Sequence, residues 1–291
     1  MKSIKKIIKP LRSIILPHNY YSNKHVLITG GGSGLGKQMA YTYSSLGAEV
    51  SILGRKVEKL KETKNVIEKL TKKKINYHSL DVRNFDSLNE LAEDMKESNK
   101  LPDIIINNAA GNILSPIKNL SPNAINSVID IVLKGTLNTT LAFGKQLIES
   151  ELPGSFVNIS TTYAKTGSSF VIPSSVAKAG CDNLTKSLAS EWGKYGIRIN
   201  SVAPGPIYTE GAFSRLDPEN KFSDLSKSKL PLGRFGEKEE IANLVSYLTS
   251  EHNNWMTGQI INFDGGEVVG NAGEFNALHY LSDDDWLNLR K

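Results

Sequence analysis

The amino-acid sequence predicts an α/β fold in which a doubly wound parallel sheet carries helices on both faces. Short apolar runs alternate with longer helical patterns from residue 24 onward, which is typical of successive β-α-β units. One run, "DIIIN" at 103–107, is too apolar for a one-sided strand, so we expect it to be central and covered on both faces. A glycine-rich loop also separates the first strand from the first helix, where such sheets bind ligands.

The predicted elements follow one another over 291 residues, a length that suits one large domain. About seven strands are expected, at 25–29, 49–53, 75–80, 103–107, 155–160, 197–202 and 259–263. Helices are expected at 34–46, 57–70, 85–98, 122–149 and 174–193, with another that begins near residue 237. The longest of them starts at Ser121-Pro122, a typical helix-start signal. The mixed stretch 208–235 breaks the alternation, as a substrate lid often does.

Residues 1–22 differ from the rest of the chain in charge and pattern. They contain five basic residues and no acidic one, and on a helical projection their apolar residues fall opposite the basic ones. Such an N-terminus is typical of a mitochondrial transit peptide, whereas the final residues "NLRK" do not match a peroxisomal tail. We therefore expect a transit peptide at 1–22, one domain over 23–291 and a location in the mitochondrial matrix. A frayed basic tail is the alternative.

The remaining composition argues against several classes of function. Without the five basic residues of the leader, 30 basic residues balance 30 acidic ones, so the net charge of +5 does not indicate nucleic-acid binding. No apolar run approaches the roughly 20 residues of a membrane span. The five histidines show no metal-ligand spacing, and the single cysteine cannot form an intramolecular disulfide. We expect no nucleic-acid partner, no metal and no stable membrane insertion.

The glycine-rich loop, "TGGGSGLG" at 29–36, stands directly before a predicted helix. Gly30, Gly34 and Gly36 allow the backbone to turn tightly and to approach a pyrophosphate, which also faces the positive end of the helix. The loop therefore predicts a Rossmann-type dinucleotide site, although a plain tight turn would give a similar pattern. The expected cofactor contacts are Gly30, Gly31, Gly32, Ser33, Gly34, Leu35 and Gly36.

The end of the second strand indicates which dinucleotide binds. An NAD enzyme places an acidic residue there, where it holds the ribose 2′-hydroxyl. This chain has "LGRK" instead, and the Arg55 guanidinium suits a 2′-phosphate that a carboxylate would repel. We therefore expect NADP(H), with Ser33 as a further hydrogen-bond donor. Asp81, at the end of the third strand, is a candidate partner for the adenine amino group.

Five motifs occur in the order that is found in the short-chain dehydrogenase/reductase family: "TGGGSGLG", "NNAAGN" (107–112), "NISTT" (158–162), Lys178 and "PGPIYT" (204–209). The chain resembles this family over about residues 24–270. The resemblance implies one domain with the strand order 3-2-1-4-5-6-7 and, commonly, a homotetramer. It also implies that Lys178 holds the nicotinamide ribose. Four loop residues would shape the nicotinamide pocket, namely Pro204, Gly205, Pro206 and Ile207.

Two positions depart from the family pattern. Ser174 stands where a catalytic tyrosine usually precedes Lys178 by four residues, and Val132 stands where an asparagine is usual. Together with "GAFSRLDP" (211–218), the stretch "YAKTGSSFVIPS" (163–174) resembles the mitochondrial 2,4-dienoyl-CoA reductases. That resemblance implies four catalytic residues, Tyr163, Asn112, Lys178 and Ser174. It also implies acyl-CoA contacts from Arg83, Ile113, Ser121 and Arg215.

The chemistry of a conjugated thioester explains why the proton donor would lie away from the position, now Ser174, where the family usually has its tyrosine. In a ketone, hydride lands on the carbonyl carbon, so the proton donor must sit beside the nicotinamide. In a 2,4-dienoyl thioester, hydride adds at C5 and charge develops on the thioester oxygen, four carbons away. Tyr163 and Asn112 are therefore candidates for stabilising that oxyanion, and Ser174 for ordering the lysine and the cofactor. Arg83 and Arg215 could pair with the phosphates of CoA.

The predicted function is NADPH-dependent reduction of a 2,4-dienoyl-CoA to an enoyl-CoA in the β-oxidation of unsaturated fatty acids. Two alternatives remain open. One is a ketoreductase that acts on 3-oxoacyl or sugar carbonyls through Tyr163. The other is a non-catalytic NADP-binding subunit, which the two missing active-site residues suggest.

Overall fold

Seven strands form one parallel sheet in the computed structural model, which describes residues 8–209 and 223–289. They are β1 (His25–Thr29), β2 (Glu49–Gly54), β3 (Ile75–Ser79), β4 (Ile104–Asn107), β5 (Gly154–Ile159), β6 (Ile197–Pro204) and β7 (Ile260–Phe263). Their order across the sheet is β3-β2-β1-β4-β5-β6-β7, and all neighbouring pairs are parallel. The doubly wound fold and the strand order are therefore confirmed.

The helices cover both faces of this sheet. They are α1 (Gly34–Ser45), α2 (Val57–Thr71), α3 (Phe85–Glu97), α4 (Pro122–Ile129), α5 (Gly135–Glu149), α6 (Tyr163–Thr166), α7 (Ile172–Trp192), α8 (Ser223–Ser228), α9 (Lys238–Thr249), α10 (Glu267–Ala272) and α11 (Asp283–Asn288). A π-helical turn, Asp130–Lys134, joins α4 to α5, so the helix predicted at 122–149 is continuous but wider there. Among the described helices, none is long and apolar enough to cross a membrane.

Alternating side chains of the strands build two apolar layers, one on each face of the sheet. In β1, Val26 and Ile28 belong to the layer that α1 and α9 cover. Leu27, between them, belongs to the layer that α3 and α5 cover. β4 is buried at all four positions because it lies centrally and both layers cover it, as its apolar sequence predicted.

A segment ahead of β1 packs on α9. The Tyr21 side chain is 2% exposed, and its hydroxyl donates to the Ser246 carbonyl at 2.5 Å. Asn243, on the same helix, donates from Nδ2 to the Ser13 carbonyl at 2.9 Å. Three further apolar side chains pack against the layer beneath α9, namely Ile14, Leu16 and Tyr20. We call residues 8–22 the N-terminal strap.

The N-terminal strap also contacts the turn before α9. Arg12 pairs with Glu237 at 2.8 Å, and Arg234 donates from Nε to the Ile8 carbonyl at 2.7 Å. In the same turn, the Gly236 amide donates to the Pro206 carbonyl at 3.1 Å. These contacts link the strap to the loop that follows β6.

Candidate active site

The residues selected from the sequence lie along the carboxyl edge of the sheet. The glycine loop follows β1, Arg55 follows β2 and Tyr163 follows β5, while Pro204 ends β6. In a parallel sheet these strand ends share one edge, and the strand order reverses between β1 and β4. Ligands of doubly wound sheets bind at such a reversal, so the predicted cofactor residues and the predicted acid come to the same edge.

The glycine loop requires glycine for steric reasons at two positions. Gly30 has a φ of +67°, and a Cβ there would lie 2.9 Å from Nδ2 of Asn108. A Cβ on Gly36 would collide with the Gly30 carbonyl oxygen. The loop is braced from the β4 side, because Asn108 donates from Nδ2 to the Thr29 carbonyl at 3.0 Å. The Thr29 hydroxyl in turn accepts the backbone amides of Asn108 and Ala109 at 3.0 and 2.9 Å.

A cavity of about 340 Å³ lies between the glycine loop and the loop after β6. Its walls include Gly30, Ser33 and Leu35 on one side and Pro204, Gly205 and Ile207 on the other. Ser33 is exposed and its side chain does not cap α1. Since the first amides of a helix have no partner within the helix, the start of α1 fits a pyrophosphate. A larger cavity, about 530 Å³, lies at the amino edge of the sheet beside His25 and His78, away from these groups.

Arg55 and Asp81 stand at neighbouring strand ends but differ in their partners. The Arg55 guanidinium is exposed and makes no hydrogen bond or salt bridge with a residue in 8–209 or 223–289. The Asp81 carboxylate accepts three hydrogen bonds from the Arg83 guanidinium, at 2.6 to 3.0 Å. These bonds, helped by the charge of Arg55, hold the pKa of Asp81 below its usual value. Asp81, predicted to bind adenine, and Arg83, predicted to bind CoA, are thus hydrogen-bonded to each other.

Tyr163 begins α6, and its hydroxyl is hydrogen-bonded to the Ser174 hydroxyl at 3.2 Å. The Ser175 hydroxyl donates to the Tyr163 carbonyl at 2.8 Å, which ties α6 to the start of α7. Ser174 and Lys178 are both buried on α7, one turn apart. The phenol hydroxyl therefore lies beside the position, four residues before the lysine, where the family usually has its tyrosine.

Lys178 is held by the strand that leads to Tyr163. Its Nζ donates to the carbonyl of Ile159, the last residue of β5. Burial lowers the pKa of the Lys178 ammonium, and the nearby Cys181 and Asp182 partly oppose this. The lysine is therefore a buried amine whose position depends on the carboxyl end of β5.

Asn112 lies in the exposed segment after β4. Its Oδ1 accepts the backbone amide of Ile113 at 2.9 Å, and its Nδ2 makes no hydrogen bond within the described part of the chain. The Ser115 amide donates to the Phe170 carbonyl at 2.9 Å, so this segment is tied to the connection between α6 and α7. The segments that contain Asn112 and Tyr163 are thus joined by a backbone hydrogen bond.

The residues at the other predicted positions have structural partners. Ile113 packs against a buried cluster that includes Val132. Val132 lies in the π-helical turn, and its carbonyl accepts the Thr136 hydroxyl at 2.7 Å. Ser121 caps α4, because its Oγ accepts the Ala124 amide at 3.2 Å. Arg215 and residues 210–222 of the predicted lid lie outside the described residues.

Two further contacts at this edge were not found from the sequence. One is the Thr29–Asn108 brace, for which the "NNAAGN" motif contained the signal. The other joins Thr162 to Glu267, where the Thr162 hydroxyl donates to Oε2 at 3.0 Å. These two residues are 105 positions apart, and no local pattern connects them.

Relatives of this chain were identified by sequence. The family model described as Enoyl-(Acyl carrier protein) reductase matches residues 30–267. A Caenorhabditis elegans protein named "Uncharacterized oxidoreductase" is 43% identical, over 97% of this chain and 91% of the relative. Another, named "Probable 2,4-dienoyl-CoA reductase 3" with a (3E)-enoyl-CoA as product, is 42% identical over 98% and 94%. A Mus musculus protein named peroxisomal 2,4-dienoyl-CoA reductase is 36% identical over 84% and 83%.

A solved structure agrees with these relatives. A short chain dehydrogenase from Bacillus anthracis has a TM-score of 0.78 and 44% identity, over 84% of this chain and 96% of that chain. The chain therefore belongs to the short-chain dehydrogenase/reductase family, as an oxidoreductase with a fold that binds a nicotinamide dinucleotide, and it is similar to 2,4-dienoyl-CoA reductases.

Proposed function

We propose that this protein reduces a 2,4-dienoyl-CoA to an enoyl-CoA with NADPH, in the β-oxidation of unsaturated fatty acids. The observation that carries the proposal is the hydroxyl pair of Tyr163 and Ser174, 3.2 Å apart, one helical turn before Lys178. A serine in place of the usual tyrosine, with a tyrosine from another element beside it, suits a substrate whose charge develops far from the site of hydride addition. The names of the relatives support the same reaction class.

NADP(H) is the proposed cofactor, and when bound it supplies the hydride. The glycine loop would hold its pyrophosphate, Arg55 and Ser33 its 2′-phosphate, and Asp81 its adenine. Lys178 would hold the nicotinamide ribose, beside the loop formed by Pro204, Gly205, Pro206 and Ile207. Arg55 supports the choice of NADP(H). Its guanidinium has no hydrogen bond or salt bridge with a described residue, so it would not have to give one up in order to bind a phosphate.

Tyr163 and Asn112 would act on the thioester oxygen. Hydride addition at C5 sends negative charge through the conjugated chain to that oxygen, where the phenol hydroxyl and the Asn112 Nδ2 donate hydrogen bonds to the dienolate. Ser174 holds the phenol hydroxyl in one direction through their shared hydrogen bond.

The acyl-CoA would lie along residues that already have other contacts. Arg83 is the proposed phosphate ligand, with Ile113 and Ser121 nearer the acyl chain, and Arg215 remains a prediction for the same role. Arg83 must then share its guanidinium with Asp81. Exposed ion pairs contribute only about 0–1 kcal/mol, so a phosphate can compete with this one.

The reaction is tested with the purified protein, NADPH and two thioesters. We expect consumption of NADPH with a 2,4-dienoyl-CoA and not with a 3-oxoacyl-CoA. The reverse preference would favour a ketoreductase, and activity with neither would favour a non-catalytic subunit. Tyr163→Phe is the matched control, since it keeps the ring and removes the donor.

We also propose a homotetramer. Exposed apolar side chains support assembly, and they lie on two neighbouring helices: Leu137 and Leu141 on α5, and Ile172 and Val176 on α7. Sedimentation of the purified protein should give four times the mass of the chain. A monomer at working concentration would contradict the proposal.

The mitochondrial matrix is the proposed location, with a leader that ends before the N-terminal strap. Deleting residues 1–7 should leave a folded, active protein in the cytosol. Deleting 1–22 should also lower stability, because it removes the buried Tyr21, and loss of a buried aromatic side chain costs about 3–5 kcal/mol. Import of the protein that lacks residues 1–7 would contradict the leader, and peroxisomal staining would match the name of the mouse relative.

A further inference from the structure

Glu267 lies where the C-terminal part of the chain meets two loops of the active site. It begins α10, and its Oε2 accepts the Thr162 hydroxyl at 3.0 Å. A Cβ placed on Gly205 would lie 3.0 Å from the same oxygen, so the carboxylate also packs against the loop after β6. The Thr162 amide donates to the Pro204 carbonyl at 3.3 Å. One acidic side chain therefore contacts the segments that follow β5 and β6.

The turn that carries Glu267 is held by its own hydrogen bonds. Asp264 accepts the Gly266 amide at Oδ1, at 3.0 Å, and the Val268 amide at Oδ2, at 2.9 Å. Gly265 and Gly266 have φ values of +61° and +85°, a conformation that glycine adopts without strain. The Glu267 carboxylate is thus presented by a capped turn.

Thr162, the partner of Glu267, directly precedes Tyr163. The Thr162 side chain is buried, and its hydroxyl donates to Glu267. The helix that Tyr163 begins has only four residues, too few to hold its own orientation. The direction of the phenol therefore depends on contacts from outside α6, which include those of Thr162, the hydrogen bond from Ser175 and the hydroxyl contact with Ser174.

We propose that Glu267 is a positioning residue for Tyr163. Through the Thr162 hydroxyl, its carboxylate holds the first turn of α6 so that the phenol meets Ser174 and, in the complex, the substrate oxygen. Glu267 itself does not touch the substrate. This inference rests on the proposed role of Tyr163 as the oxyanion donor. Burial raises the pKa of Glu267, so an acidic side chain is kept here at an electrostatic cost.

Single substitutions give the first test. Glu267→Ala and Thr162→Val should each lower kcat about ten- to a hundredfold, since small misplacements of reacting groups have effects of this size. The KM for NADPH should change little. Glu267→Gln should keep most of kcat, because its amide oxygen still accepts the Thr162 hydroxyl. The matched control is Glu274→Ala, an exposed acid in the same C-terminal stretch, which should leave kcat unchanged.

The decisive measurement combines Glu267→Ala with Tyr163→Phe. A residue that acts through the phenol hydroxyl has nothing left to position once the hydroxyl is gone, so the second substitution should lower kcat by less than about twofold. A purely structural role would make the two losses multiply. That outcome, or a Glu267→Gln variant as impaired as Glu267→Ala, overturns the proposal. If Glu267→Ala does not fold, Thr162→Val takes its place in the same cycle.

Crystal structures of the wild type and of Glu267→Ala separate this inference from the proposed function. In the variant, the Tyr163 hydroxyl should no longer be hydrogen-bonded to Ser174. An unchanged contact overturns the positioning role even if the enzyme is active. If the wild type reduces no dienoyl-CoA, the proposed function fails, while the displacement of Tyr163 still decides whether Glu267 positions it.

Discussion

Two parts of the carboxyl edge of the sheet are built in different ways. The cofactor end carries the glycine loop and Arg55, and the acid end carries Tyr163, Ser174 and Lys178. At the cofactor end, two side chains are proposed to bind phosphate. Among the described residues, the Arg55 guanidinium has no hydrogen-bond or ion-pair partner, and the Ser33 side chain does not cap α1. At the acid end, the phenol of Tyr163 is bonded to Ser174, and Lys178 is bonded to the Ile159 carbonyl. The first end thus presents groups that await a ligand, whereas the side chains of the second end are already hydrogen-bonded to one another or to the backbone.

This difference predicts which measured quantity each end controls. An unpaired guanidinium gains its partner only when the ligand arrives, so it contributes to binding. A hydroxyl that is already oriented contributes where charge develops, because it needs no reorganisation in the transition state. Substitutions at the cofactor end should therefore change Kd, and substitutions at the acid end should change kcat.

The largest expected effect is that of Tyr163→Phe. Removing one oxyanion donor should lower kcat by about 10²–10³-fold, while the Kd for NADPH, measured by fluorescence titration, stays nearly unchanged. Asn112→Ala should act in the same way, and the combined loss should be smaller than the product if both groups bind one oxygen. A Tyr163→Phe enzyme with near-normal kcat would remove the contrast between the two ends.

Arg55→Ala should have the next largest effect, on binding. A hydrogen bond to a charged group contributes roughly 1.5–3 kcal/mol, so the Kd for NADPH should rise about ten- to a hundredfold. NADH binding should barely change, because it has no 2′-phosphate. Equal losses for the two cofactors in the same titration would show that Arg55 does not read the phosphate.

Ser174→Ala should have a smaller effect on kcat than Tyr163→Phe. It removes a hydrogen bond worth about 0.5–1.5 kcal/mol from the phenol, which corresponds to a loss of about two- to tenfold. Ser174→Tyr, which restores the usual family residue, should not improve dienoyl-CoA reduction, because its hydroxyl would face the diene carbons. If Ser174→Ala abolishes turnover and Tyr163→Phe does not, the serine is the catalytic group.

The smallest expected effect concerns stability and pH. Burial, together with the charge of Asp264, raises the pKa of Glu267 above its usual 4.5, although the hydrogen bond from Thr162 opposes this. Well below pH 4.5 the side chain is protonated in both the folded and the unfolded state, so its ionisation costs nothing there. As pH rises, the unfolded state loses its proton first, and the folded state becomes less stable. Glu267→Gln should therefore have the higher Tm at neutral pH, and the gap should close toward pH 4.5.

The sequence could predict the sheet and the position of the glycine loop because both depend on local patterns. Alternating apolar runs gave strands whose ends differ from the observed ones by at most two residues, and glycine spacing located the loop at Gly30. The contacts of the acid end could not be predicted in this way. Tyr163 and Ser174 were candidates only through the family resemblance, and the bond between them depends on how α6 meets α7. Glu267 lies 105 residues from Thr162, and only tertiary packing brings the two together.

The N-terminal strap has a consequence for the timing of synthesis. Tyr21 and its acceptor on α9 are 225 residues apart, so the strap cannot dock until nearly the whole chain has been made. At roughly 5–20 residues per second, translation needs about 10–45 s to reach α9. During that interval the apolar side chains of the strap are exposed and accessible to chaperones. The strap is thus synthesised long before the helix on which it packs, and it is among the last segments to fold.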